Sequence, residues 1–303
     1  AIYWTNKGSL GISFFLTEEL MNTSVDSHLS CGAKKHKGGN VMRRKFMSMA
    51  LTAAMVLSMA ATPVFAEDTA SDEGFNLNLC IASEPQTIDP ALNSAVDGAI
   101  MCNHMFEGLA KWVNDGEGNA VTAPGQAESW EKAENEDGTV TYTVKLRDGI
   151  KWSDGQAVTA GDFVYAWQRL ANPETAADYC YMIDMVKGYD AVADGSADPS
   201  TLGITAVDDQ TLQIDLTYDC PYFEEIMAFP ATFPVRQDMV ESSDNWTFDP
   251  STYIGNGPYK MTEWSHNAYI SMEKNENYYD YENLGPDTIK FTLLDDNNAM
   301  LKG

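Results

Sequence analysis

Side chains able to do covalent or acid–base chemistry are few and scattered in this chain. Past residue 66 the histidines are His104 and His266, and the cysteines are Cys80, Cys102, Cys180 and Cys220. The cysteines are too widely spaced for a CxxC metal site, and no GxSxG, HExxH or Walker-type phosphate loop occurs. Glu224-Glu225 and Asp295-Asp296 are adjacent pairs, so on any regular element they diverge; solvated charge is their simplest reading. His104 falls on an expected helix, where packing or exposure accounts for it. The expectation is a protein with no catalytic residue, no metal site and no cofactor, which acts by recognition. Trp112, Trp130, Trp152, Trp167, Trp246 and Trp264 are expected mostly in the core. In an oxidising compartment the cysteines allow disulfides, and free thiols are equally compatible with their spacing.

The elements that position these residues are clearest between Gln126 and Leu170. Val140, Tyr142, Val144 and Leu146 alternate with Thr139, Thr141, Thr143 and Lys145, the period of a half-buried strand. Asp137-Gly138, Asp148-Gly149 and Asp154-Gly155 bracket it with turn dipeptides that tolerate positive φ. Thr159 and Asp162 then form a capping-box-like start, with Phe163, Val164, Ala166, Trp167 and Leu170 at helical spacing until Asn172-Pro173. Further strands are expected at 75–81, 259–264, 269–274 and 288–294, with a hairpin over 204–216 turned at Asp208-Asp209. Helices are expected over 99–109 and within 179–192, and another is expected to begin at Asp295.

The order LRDGIKWSDG then TAGDFVYAWQRL resembles the family 5 extracytoplasmic solute-binding proteins, the oligopeptide-binding proteins of ABC importers. SEPQTIDPAL from Ser83, MFEGLAKW from Met105, DCPYFEEIMAFP from Asp219 and IGNGPYKMTEW from Ile254 extend the likeness, in order, from Leu79 to Leu294. The resemblance implies an α/β, periplasmic-binding-protein-like (type II, cluster C) two-lobed fold, truncated before the carboxy-terminal lobe. Residues 67–107 would begin lobe one, 108–235 would form an inserted small lobe, and 236–303 would return to lobe one and start the missing lobe. It implies an extracytoplasmic subunit that captures oligopeptides for a permease and ATPase complex, as a monomer and without chemistry on the solute. Ligand contacts map to Ser94, Ala95 and Val96, by backbone pairing, and to Tyr179 in NPETAADYCY; a core role is the alternative for Tyr179. A Cys180–Cys220 bridge is the pairing that family topology favours. Relatives on similar scaffolds bind nickel complexes, haem, antibiotics or oligosaccharides, and others act as sensors; a secreted enzyme would require a catalytic dyad that the residues do not offer.

The first 66 residues read differently. Arg43-Arg44-Lys45, the apolar run Phe46–Thr62 and Pro63-Val64-Phe65-Ala66 have the layout of a secretory signal peptide over 42–66, with cleavage near Ala66 and no lipobox cysteine after it. Lys37-Gly38-Gly39 can be encoded by a purine-rich ribosome-binding site just ahead of Met42, so 1–41 is expected to be translated upstream sequence. Formal net charge over the whole chain is -26. Setting these residues aside leaves about -30 on the remainder, which disfavours nucleic acid and anionic membrane surfaces as partners.

Overall fold

The computed structural model describes residues 2–4, 10–12 and 74–294. The expected signal peptide and the helix start at Asp295 lie outside the described residues, as does most of the expected upstream sequence. In chain order the elements are β1 (Ile2–Trp4), β2 (Leu10–Ile12), β3 (Asn76–Ile81), α1 (Val96–Met105), β4 (Ala110–Asn114), β5 (Ala120–Pro124), β6 (Ala127–Glu134), β7 (Val140–Leu146), α2 (Ala160–Ala171), α3 (Tyr189–Ala193), β8 (Ile204–Asp208), β9 (Thr211–Leu216), α4 (Phe223–Ile226), α5 (Gln237–Val240), β10 (Tyr259–Ser265), β11 (Tyr269–Lys274) and β12 (Thr288–Leu293). Short 3-10 turns at Pro173–Thr175, Cys180–Ile183, Pro199–Thr201, Pro230–Thr232 and Tyr281–Asn283 punctuate the connections.

Two four-stranded sheets carry the core. One runs β6-β7-β9-β8 and is antiparallel throughout; the other runs β10-β11-β12-β3, with β3 added parallel to β12. β4 and β5 form a separate hairpin, as do β1 and β2.

The alternation in β7 has the expected consequence. Val140, Tyr142, Val144 and Leu146 are all buried, and with Leu212, Ile214 and Leu216 of β9 they present one apolar face. α2 covers it with Phe163, Ala166, Trp167 and Leu170; the Trp167 indole is fully buried, and its Nε1 donates to Thr232 O at 2.9 Å. Phe223 stands between Tyr142 and Trp167, 4.7 Å from the first ring and 6.2 Å from the second, packing that favours tilted or edge-on rings over a face-to-face sandwich. The start of α2 is the expected capping box: Asp162 Oδ2 accepts from the Thr159 backbone N–H at 2.8 Å and from its hydroxyl at 3.0 Å.

α1 departs from expectation, spanning Val96–Met105 instead of 99–109. Its end is imposed by a distant loop. Asn256 takes the Glu107 N–H on Oδ1 at 3.0 Å and gives its own amide to Glu107 O at 2.9 Å, while Gly257 N–H donates to Met105 O at 3.0 Å. With Met105–Glu107 bound in this way, Phe106 is extended (φ -130, ψ 162) and the chain runs on into β4. Gly255 and Gly257 are required here: a Cβ on Gly255 would lie 1.8 Å from Met105 O, and one on Gly257 2.5 Å from Phe106 N.

Trp152, Trp167, Trp246 and Trp264 are core residues as expected, Trp130 is half-buried, and Trp112 is exposed. The helical region expected over 179–192 consists of a 3-10 turn and the short α3. All four described cysteines are free, which overturns the Cys180–Cys220 pairing. Each thiol has other company: Cys180 bonds with the Tyr189 hydroxyl, and Cys220 with Tyr222.

Candidate functional site

The loop from β3 to α1 is fastened at several points. Glu84 draws three groups of the β10–β11 hairpin together: Trp264 Nε1 donates to Oε1 at 2.9 Å, His266 Nδ1 lies 2.6 Å from the same oxygen, and Asn267 N–H donates to Oε2 at 2.8 Å. Burial pushes the Glu84 carboxyl up, but the bonds from His266, Asn267 and Trp264 outweigh it and leave the pKa below the usual value. Further on, Ile88 is fully buried and its carbonyl accepts from Tyr253 Oη at 2.5 Å and from Cys102 Sγ at 3.3 Å. Burial first, then the charge of Asp89, holds the Cys102 thiol far above its ordinary pKa, so it stays protonated.

Asp89 ties this loop to α2. Its carboxylate meets Arg169 in a two-pronged pair, Nη1 to Oδ1 at 2.9 Å and Nη2 to Oδ2 at 2.6 Å, and Oδ1 also accepts the Ala91 N–H at 3.0 Å. The side chains are 3% and 14% exposed, so the pair is shielded and its bonds are the strong, charge-assisted kind. The Asp89 carbonyl accepts from Leu92 and Asn93 N–H, turning the chain toward α1. A cleft of about 720 Å3 opens here, bordered by Tyr165, Gln168, Glu241 and Trp246 as well as the ion pair.

The next residues, Ser94, Ala95 and Val96, are exposed, Val96 at 74%, and Ala95 is extended (φ -119, ψ 153) as the N-cap of α1. Extended Ala95 thus stands in solvent between a buried anchor and the first turn of α1, which Val96 begins. Ser94 N–H, Ser94 C=O and Val96 N–H have no protein partner among the described residues.

Tyr179 sits elsewhere, half-buried ahead of the Cys180–Ile183 turn. Its ring meets Phe229 edge-on at 5.2 Å and Tyr181 at 6.1 Å. Phe229 is the N-cap of the Pro230–Thr232 turn, which packs on both α1 and α2. A single element therefore joins Tyr179 to the helix that begins at Val96. Beside it is a mostly apolar cavity of about 290 Å3 lined by Trp112, Tyr181, Met182, Met185, Tyr222, Ile226 and Phe229 together with Asp184 and Glu225.

A third cluster buries a carboxylate behind β4. Glu107 accepts from Tyr278 Oη at 2.5 Å, Tyr279 Oη at 2.8 Å and Gln126 Nε2 at 3.2 Å, with Lys111 Nζ at 3.5 Å. Burial, then the Glu107 charge, keeps the Tyr278 phenol well above its ordinary range. Every oxygen of this carboxylate is bonded to the protein, so the cluster holds strands together. Glu84, Asp89, Asn93 and Glu107 did not stand out as site residues in the sequence. The one local signal was Asn93, a turn-forming residue two places before an extended N-cap.

Two four-stranded sheets, one leading through the β3–α1 loop to a shielded Asp89–Arg169 pair with the helix that covers the other, form an α/β scaffold. The chain belongs to the bacterial extracellular solute-binding proteins, family 5, whose middle-region profile matches residues 122–302. It is 35% identical over 228 residues to the oligopeptide-binding protein OppA of Bacillus subtilis strain 168, covering 75% of this chain and 40% of that protein. It is 34% identical over 250 residues to the probable deoxycholate-binding periplasmic protein YgiS of Escherichia coli strain K12, covering 80% of this chain and 45% of the relative. The solved structure of the Escherichia coli murein tripeptide binding protein MppA superposes with a TM-score of 0.69 at 35% identity, over 76% of this chain and 44% of its own. The chain thus spans less than half the length of the relatives it matches. The α/β periplasmic-binding-protein-like fold expected from the motifs is the fold observed.

Proposed function

We propose that the protein captures oligopeptides outside the cytoplasm and hands them, unaltered, to the permease and ATPase of an ABC importer. The observation that carries this reading is the exposed segment Ser94–Val96 leading into α1, whose unpartnered Ser94 N–H, Ser94 C=O and Val96 N–H offer backbone pairing to any peptide irrespective of its sequence. Tyr179 supplies an aromatic wall and a phenolic hydroxyl for the ligand's side chains. In this reading 67–107 and 236–303 form one lobe, 108–235 a small lobe, and 42–66 directs export. Closure over a ligand is a population shift, driven only by contacts that the closed state makes better. Names of relatives support the peptide class: one is called oligopeptide-binding and another murein tripeptide binding.

Calorimetric titration of the intact protein with trialanine tests the proposal. Saturable binding, weakened about tenfold by Tyr179→Ala, is the expected result. A second reading, an apolar amphiphile as solute, is favoured by the Met- and Phe-lined cavity beside Tyr179 and by the name of the deoxycholate-binding relative. Binding of deoxycholate together with silence toward trialanine would replace the first reading by the second.

A further inference from the structure

Asn93 does for Ser94–Val96 what a neighbouring strand does for a sheet. Its side chain is buried, 6% exposed, and grips Ala95 twice: Nδ2 donates to Ala95 O at 3.0 Å, and Oδ1 accepts from Ala95 N–H at 3.3 Å. Ala95 O also accepts from Ala99 N–H at 3.0 Å, so both backbone groups of Ala95 are committed to the protein. With Ala95 turned inward, the backbone groups left without a protein partner among the described residues are Ser94 N–H, Ser94 C=O and Val96 N–H, the Val96 carbonyl belonging to the first turn of α1. The amide is itself held by close approach of α1: a Cβ on Gly98 would lie 2.0 Å from Asn93 Oδ1 and 2.4 Å from Thr87 O, so only glycine lets the helix close over it.

We propose that Asn93 is a positioning residue for ligand capture: by occupying both backbone groups of Ala95 it fixes the register, so that a peptide pairs with Ser94 N–H and C=O and with Val96 N–H alone. This rests on the reading of Ser94–Val96 as the ligand-binding segment. Asn93 touches no ligand itself. It removes the entropy that a loose loop would lose on binding, and it keeps a competing partner, Ala95, out of reach.

The test uses the intact protein, trialanine as probe, and residue-resolved amide exchange. Asn93→Ala is expected to weaken trialanine binding about tenfold and to speed exchange of the Ala95 amide in the ligand-free protein. Asn93→Asp preserves the acceptor for Ala95 N–H but loses the donor to Ala95 O. It sets a carboxylate oxygen against Ala95 O in a buried position, so it is expected to weaken trialanine binding at least as much as Asn93→Ala, with a circular-dichroism melt checking that it folds. Equal trialanine affinity in Asn93→Ala and wild type, with Ser94 and Val96 amides still protected on binding, overturns the proposal and leaves the binding segment standing. Wild-type binding that protects neither amide overturns both.

Discussion

Replacing Asp89 by alanine isolates the tie between the β3–α1 loop and α2. The substitution leaves the Arg169 guanidinium, 14% exposed, without the one carboxylate that pairs with it among the described residues, and strips the Ala91 N–H of its acceptor. Breaking one side of a buried pair costs about 3–5 kcal/mol, because the stranded charge keeps its desolvation penalty. At about 2–4 °C per kcal/mol for a domain of this size, the unfolding midpoint should drop by about 10 °C. The double variant Asp89→Ala/Arg169→Met separates the charge from the packing. Methionine follows the course of the aliphatic stem without the buried cation, so the double variant is expected to be at least as stable as Asp89→Ala alone. Denaturant melts of wild type, both singles and the double give the coupling directly. A single-variant loss under about 1 kcal/mol with additive effects in the double would show the pair to be solvent-screened, and the reasoning from burial would be refuted.

Two further outcomes follow from the same lacing. Glu84 has a folded pKa held below 4.5, so its bonds contribute stability above the unfolded value, and that contribution is lost as pH falls through the depressed folded value. Thermal melts down an acid series should therefore show a steeper loss below pH 4.5 in wild type than in Glu84→Gln; parallel curves would remove Glu84 from the acid limb. Gly255→Ala forces a methyl onto Met105 O and is expected to cost about 3 kcal/mol in denaturant unfolding, whereas Gly116→Ala meets no neighbouring atom and should lose only what its positive φ (+85) imposes, about 1 kcal/mol.

Where pattern and burial coincide, the sequence was sufficient. β7 and α2 follow from alternation and helical spacing because each has one wet and one dry face. β6 escaped notice for the opposite reason: AESWEKAE is exposed at most positions, and its strand state comes from pairing with β7. The misjudged end of α1 has a similar origin, since Phe106-Glu107-Gly108-Leu109 reads as a plausible last turn and only the capture of Glu107 by Asn256, 149 residues away, ends the helix. The candidate segment Ser94–Val96 was singled out through motif likeness, but the grip on Ala95 was hidden, because it depends on the direction in which the Asn93 amide faces.

The pairing of β3 with β12 also sets a schedule for synthesis. Thr288 stands opposite Asn76, so the edge strand made first has no hydrogen-bonding neighbour until its mate emerges 212 residues later. The β6-β7-β9-β8 sheet, by contrast, is complete once Leu216 has left the ribosome. A growing chain should therefore carry one finished layer while its opening strand waits, and closing so long a loop makes that last pairing the slow step.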